Sequence, residues 1–126
     1  MNEVYSAIYS RLSTQLVVPV HDHVPQDNQV YPYVRVDHLE TANNDVDDKS
    51  GFSATIQIVG FSRYRGGKEV SDLASEIYTA LHRHDFPDTI SYGISGIEES
   101  FRRIATQPDG LTRNSVQQYK LFFELL

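Results

Sequence analysis

Hydrophobic and polar positions alternate along this chain with two periods, one helical and one extended. Over residues 2–16 the apolar side chains recur every four positions, which predicts an amphipathic helix. Between Lys68 and about Arg83 the same period returns and predicts a second helix. Pro19 and Pro87 lie just past the two segments, where such helices are expected to have stopped. The apolar stripes comprise Val4, Ile8 and Leu12 in the first helix and Val70, Leu73, Ala74, Ile77 and Leu81 in the second.

Two strands are predicted between the helices. Residues 31–40 and 52–62 both alternate with a period of two, so each is expected to have one buried and one solvated face. The stretch from 41 to 51 has almost no apolar content and is expected to form a mobile polar loop. Together these segments predict an antiparallel hairpin with an oversized tip.

Two more strands follow the second helix. Residues 89–104 alternate as a strand, which Gly93 and Gly96 are expected to bend or bulge. The sequence QPDGL at 107–111 is a strong turn signal, because proline precedes Asp-Gly. Residues 115–125 then predict a terminal strand that alternates between apolar and polar side chains.

The order of elements is helix, strand, strand, helix, strand, strand, with both strand pairs expected to be antiparallel. It predicts an α+β fold, with a single antiparallel or mixed four-stranded sheet and two helices packed on one face. No internal repeat is visible, so residues 1–126 are expected to form one domain. We expect the sheet edge near residues 116–123 to offer unpaired backbone groups for subunit contacts.

Composition removes several classes of function. The chain has 126 residues, 40% of them hydrophobic. Its net charge is -6, and a negatively charged surface does not attract the phosphate backbone of nucleic acids. The absence of cysteine excludes disulfides, thiolate metal sites and a cysteine nucleophile. No apolar run is long enough to span a membrane, and the first residues are not expected to act as a secretory signal.

Paired histidines are the first candidates for chemistry. His21 and His23 stand two residues apart in the sequence PVHDHVPQD, a spacing that metal sites use, but a zinc site needs three or four ligands. His82 and His84 are about 200° apart on the second predicted helix, so they cannot chelate one ion together. We therefore expect no metal site, and interpret these histidines as surface or hydrogen-bonding groups.

Other catalytic patterns are missing or incomplete. No GxSxG nucleophile turn occurs, and the RGG sequence at 65–67 lacks the spacing of a phosphate-binding loop, so its glycines are expected only to turn the chain. Glu98 and Glu99 could in principle act as a general acid–base pair, but a solvated strand face is the expected role. The adjacent arginines of the sequence FRR at 101–103 are expected to pair with a neighbour's carboxylates and not with nucleic acid. We expect no catalytic residue, no cofactor and no enzyme activity; a small hydrolase with an unrecognised site is the remaining catalytic alternative.

Three sequence blocks carry a resemblance: PVHDHVPQDNQVYPYVRV, GFSRYRGGKEVSDLASEIYTALH and RIATQPDGLTRNSVQQYKLFFE. In this order and spacing they resemble the bacteriophage tail-completion family, small neck proteins also called tail terminators or head–tail joining proteins. The resemblance runs from about residue 17 to the C-terminus. The chain departs from the family pattern at His21, where an aromatic residue is more usual, and in the long polar stretch at 41–51.

The resemblance implies a structural protein of the virion tail or neck, assembled in the bacterial host cytoplasm, which ends the tail tube and joins it to the head connector as a ring with six-fold symmetry. The implied partners are copies of itself, the tail tube protein and a head-completion or connector protein, with DNA only in transit and no membrane. By the same analogy Asp22 braces the connector turn and Pro25 fixes its backbone. The alternative from another class is a cytoplasmic protein-binding or regulatory domain without catalysis.

Two groups of charged residues are candidates for assembly. Four arginines are expected to contact acidic residues of a neighbouring subunit, namely Arg63, Arg65, Arg102 and Arg103. Three aspartates in the polar stretch are expected to face the ring lumen or an adjoining ring, namely Asp45, Asp47 and Asp48. In that position they would repel DNA in transit or become ordered on docking.

Overall fold

A computed structural model describes residues 2–22, 30–43 and 51–126 of the chain. Two helices and six strands are found there. The helices are α1 (Asn2–Gln15) and α2 (Lys68–Leu81), and the strands are β1 (Val20–His21), β2 (Tyr33–Val36), β3 (Glu40–Asn43), β4 (Gly51–Ser62), β5 (Tyr92–Thr106) and β6 (Arg113–Leu125).

All six strands join one mixed sheet. Its order is β1–β2–β4–β6–β5, and β3 pairs with β4 beside the end of β2. Strand β1 runs parallel to β2, and every other pair is antiparallel. The α+β class, the mixed sheet and the antiparallel pairs are therefore confirmed, whereas the prediction of four strands is wrong.

The two additional strands are short, and their neighbours define them. Strand β1 has only two residues, too few for an alternating pattern to show in the sequence, and the four residues of β3, ETAN, do not alternate between apolar and polar side chains. Strand β2 covers only residues 58–61 of the long β4, which leaves residues 52–55 free to pair with β3. Residues 41–43 of the expected loop thus lie in β3 and Gly51 in β4. Its other residues lie outside the described part of the chain, so the mobile loop stays a prediction.

Strand β6 lies inside the sheet. It pairs with β4 from Arg113 to Glu124 and with β5 over almost the same length. The expectation of a free edge near residues 116–123 is therefore wrong, because the last strand of the chain is inserted between two earlier ones. The true edges are β5 on one side and β1 with β3 on the other.

Strand β5 contains two irregularities. Its register against β6 shifts between Ile94 and Gly96 and again between Glu99 and Phe101. The first shift confirms the bulge expected near Gly96, and the second was not predicted. At each shift the hydroxyl of the extra serine donates to a carbonyl of β6. These bonds run from Ser95 to Phe122 O at 3.0 Å and from Ser100 to Gln118 O at 3.2 Å.

Both helices pack on the same face of the sheet, as predicted. Every second side chain of the central strands meets the apolar stripes of α1 and α2, and burial of this surface is the main force that holds the fold. The sheet supplies, among others, Ile56, Ile58, Tyr119, Leu121 and Phe123. A smaller cluster formed by Tyr33, Val59 and Phe61 lies on the opposite face.

Helix α2 ends at Leu81, two residues before the predicted end near Arg83. His82 is extended, and Arg83 has a positive φ of 56°, so the backbone leaves the helix there. The amide of Arg83 donates to Ile97 O at 2.8 Å, which ties the end of the helix to β5.

Gly60 permits the close approach of α2 to β4. A Cβ atom at this position would lie 2.7 Å from Ser115 Oγ and 2.9 Å from Leu73 Cδ2. Real Cβ atoms do not tolerate such distances, so the lack of a side chain at residue 60 determines how deeply Leu73 sits over the sheet.

We expect Gly60→Ala to destabilise the fold by about 1–3 kcal/mol, because the added methyl group overpacks the contact with Leu73 and Ser115. Urea unfolding followed by circular dichroism measures the change. The matched control is Gly51→Ala in the same strand, where a Cβ meets no described atom within 4 Å. The control should stay within about 0.5 kcal/mol of wild type. Equal stability of both variants would contradict the close packing at Gly60.

Candidate assembly surfaces

The outer half of β5 is an exposed edge of the sheet. From residue 101 to residue 104 the side chains on both faces are exposed, and β6 pairs with only one side of the strand. Phe101 is 47% exposed and Ile104 is 42% exposed, so apolar area faces solvent beside unpaired backbone groups. An edge of this kind is suited to contact with another protein chain.

Arg102 and Arg103 lie on this edge, but their environments differ. Arg102 Nε donates to Glu99 Oε2 at 3.0 Å, and its guanidinium lies 5.3 Å from the ring centre of Tyr78. Arg103 is exposed and forms no ion pair with any described residue. Arg102 therefore serves its own chain, whereas the charge of Arg103 is available to a partner.

A buried polar cluster joins β5, β6 and α2 behind this edge. Gln117 Nε2 lies within donating distance of Ala74 O at 3.0 Å, Glu99 Oε2 at 2.9 Å and the hydroxyl of Tyr119 at 2.9 Å. Burial, with the Glu99 carboxylate nearby, raises the pKa of Tyr119 far above its ordinary value, so the phenol stays protonated. Gln117 and Tyr119 are fully buried, so the cluster fastens the strands to the helix.

The other two candidate arginines follow β4. Arg63 Nε donates to Thr112 Oγ1 at 3.1 Å, and its guanidinium lies 4.3 Å from the ring centre of Tyr31. Arg65 is exposed in the turn and has no ion pair with a described residue. The structure therefore does not gather the four predicted arginines into one patch, because β6 separates β4 from β5.

Three of the four paired histidines lie in the described part of the chain, and each contacts its own scaffold. The ring of His21 stands edge-on to Tyr33 with centroids 5.9 Å apart. His82 Nδ1 accepts the amide of Glu99 at 3.2 Å, and His84 packs edge-on against Phe86. No group of three or more His, Cys, Asp or Glu residues in ranges 2–22, 30–43 and 51–126 is placed to hold a metal ion.

The residues predicted for the connector and the ring lumen lie only partly in the described part of the chain. Asp22 is exposed in a bend directly after β1, and its charge helps to raise the pKa of Tyr5, although burial is the larger cause. Pro25, His23 and the three aspartates Asp45, Asp47 and Asp48 lie outside the described residues. Their predicted roles stay predictions.

A groove of about 340 Å³ opens between the end of α1 and the start of α2. Leu73 contributes a buried apolar side chain, and Val17 and Tyr64 stand beside it 95% and 62% exposed. Asp72 and Glu76 give the groove an acidic wall, together with Glu69. The only basic residue in its lining, Lys68, is already bonded to Asp72 at 2.8 Å. Sequence reasoning missed this acidic groove, since its residues come from three separate segments.

The turn between β5 and β6 forms as the QPDGL sequence predicts. The carboxylate of Asp109 accepts the amides of Leu111 and Thr112, each at 2.8 Å, and the hydroxyl of Thr112 at 2.7 Å. These bonds lower the pKa of Asp109 to about 2. Gly110, with a φ of 71°, supplies the left-handed residue that the turn requires.

The helices and the single mixed sheet define a small α+β domain with a long exposed sheet edge at β5. The model of the family described as tail completion protein gp17 matches residues 6–124, and the chain belongs to this family. It is a structural protein of the phage tail, located in the tail or neck of the virion, as the three sequence blocks predicted. No helix among the described residues is long and apolar enough to cross a membrane.

Solved structures share the fold. A chain in the virion of a native gene transfer agent particle superposes with a TM-score of 0.87 at 16% identity, over 98% of this chain and 96% of that one. A second solved protein, which carries no descriptive name, gives a TM-score of 0.59 at 13% identity, over 99% and 94% of the two chains. At these identities the likeness establishes the fold alone. No curated protein sequence gives a significant match.

We expect Asp109→Asn to lower stability at neutral pH, because the amide oxygen can replace only Oδ1 as acceptor of the two backbone amides, and the NH2 group in place of Oδ2 cannot accept the hydroxyl of Thr112. The folded pKa lies below the unfolded value of 3.8, so the carboxylate stabilises the fold above that pH and loses this contribution as pH falls through about 2. Urea midpoints at pH 7, 4 and 2 should therefore show a gap between wild type and variant that narrows with acidity.

The control for this comparison is Glu124→Gln, which removes an exposed carboxylate that accepts no hydrogen bond from a described residue. It should change the urea midpoint little at any pH. A gap for Asp109→Asn that stays constant down to pH 2 would show that its carboxylate does not stabilise the turn in this way.

Proposed function

We propose that the protein ends the tail tube and joins it to the head connector as a six-membered ring of identical subunits. Membership of the tail completion family supports this role, as does the shared fold with a chain of a gene transfer agent virion. Its partners would be the tail tube protein, a head-completion or connector protein, and further copies of itself.

The observation that carries the ring is the difference between the two edges of the sheet. Strand β5 exposes a long edge on one side, whereas the other side ends in the short strands β1 and β3. A closed ring needs two unlike surfaces on each copy, which meet head to tail and close by rotation. One chain with two different edges meets this requirement.

We infer that the protein works by contact and without catalysis. In the described ranges Glu99 forms an ion pair with Arg102 and accepts a hydrogen bond from Gln117, so its carboxylate is engaged in contacts within the chain. The net charge of -6 also suits a passage for DNA, because an acidic surface does not retain the phosphate backbone. These features favour the virion role over that of a cytoplasmic regulatory domain.

The test is assembly of the purified protein, measured by mass photometry and negative-stain electron microscopy with and without tail tube protein. We expect rings of six copies, and tubes of the tail protein that stop growing where a ring sits. A protein that stays monomeric in both samples and leaves tube growth unchanged would contradict the proposal.

The three aspartates of the polar stretch are proposed to face the ring lumen or the adjoining ring. Replacing Asp45, Asp47 and Asp48 together with asparagine should leave the urea midpoint unchanged and lower the yield of joined, infectious particles at least roughly tenfold. The matched control replaces three other carboxylates with amides. These residues, Asp85, Asp88 and Glu124, are exposed. Equal particle yields from the two triple variants would count against a special role for the stretch.

A further inference from the structure

We propose that neighbouring copies meet through the outer half of β5, residues 101–106, in one copy and the acidic groove of the next. This contact rests on the proposed ring and specifies its two unlike surfaces. The occupant of the groove is therefore a second copy of this chain.

The two surfaces lie near opposite edges of the sheet. The groove lies near the β1–β2 side, since Val17 and Val18 precede β1 and Pro32 precedes β2. Strand β5 is the last strand at the other side. A copy can therefore use both surfaces at once, as a head-to-tail ring requires.

Both surfaces expose large apolar side chains that a monomer would normally bury. Phe101 and Ile104 project from β5, and Val17 and Tyr64 stand at the groove with more than half of their surface in solvent. Leu73 lines the groove as a buried apolar contact for an incoming side chain. Burial of such patches against each other is the usual driving force of subunit association.

The charges of the two surfaces are complementary. Residues 101–106 contain two arginines and no acidic residue, and Arg103 has no partner within the described chain. The groove carries Glu69, Asp72 and Glu76 against one lysine, and Glu76 forms no ion pair with a described residue. An Arg103–Glu76 pair across the contact would satisfy both unpaired charges and fix the register of the two copies.

Charge reversal tests this pair. Arg103→Glu and Glu76→Arg should each raise the protein concentration for half-maximal ring assembly at least tenfold, because like charges then face each other. Both side chains are exposed, so the urea midpoint should not change. The matched controls are Lys120→Glu and Glu124→Arg, exposed positions outside both surfaces, and these should assemble as wild type.

Mixing the two variants gives a sharper result. In an alternating ring of even number, every contact then joins either the native pair or the reversed pair. Equal amounts of Arg103→Glu and Glu76→Arg chains should therefore assemble together at near wild-type concentration, although neither does so alone. Failure of the mixture to recover, or unimpaired assembly of the single variants, would overturn the contact.

The lack of natural cysteine permits direct cross-linking. A chain with Arg103→Cys and a chain with Glu76→Cys, mixed under assembly conditions, should yield dimers with a short bismaleimide; the spacer is needed because a disulfide spans only about 4 Å between Cβ atoms. Lys120→Cys in place of Arg103→Cys is the control and should give none.

Rings without this cross-link, or a link to tail tube protein instead, would overturn the contact and leave the ring itself standing. Absence of rings under all conditions would overturn the ring and the contact together.

Discussion

The fold depends on the double pairing of β6. This strand is bonded to β4 on one side and β5 on the other, while Tyr119, Leu121 and Phe123 are buried beneath the helices. It positions three neighbouring elements: β4 and β5 by their register, and α2 by the bond from Gln117 Nε2 to Ala74 O. The sheet is therefore incomplete until β6 has paired with both of its neighbours, although it follows them in the sequence.

Hydrophobic periodicity was sufficient for the large elements, because both helices and the long strands repeat their pattern over ten or more residues. It failed where an element is defined by its neighbours. Strands β1 and β3 exist because β2 and β4 leave free edges beside them. The edge of the sheet was wrongly predicted for a related reason: β4 and β6 pair residues that are far apart in the sequence, from Ser62 with Arg113 to Gly51 with Glu124, and no local pattern specifies which strand lies outside.

The assembly surfaces could be predicted only in part. Arg102 and Arg103 lie on the exposed edge, and which of the two is free depends on Glu99, whose approach follows from the bulge at Ser100. Gln117 precedes the apolar alternation of Tyr119, Leu121 and Phe123 on the same helix-facing side, so the sequence contained a signal for this buried polar group. The groove had no such signal, since Val17, Tyr64 and Asp72 come together only through the packing of α1 against α2.

Leu73 contacts both the core and the surface groove, because one side of it rests over Gly60 and the other lines the groove. Sequence variation among related chains should reflect this arrangement. In related chains a larger residue at the glycine position is tolerable only if the leucine or Ser115 shrinks in compensation, so these three positions are expected to vary together. A substitution at any one of these buried positions would change the shape of the groove, although no exposed residue is altered.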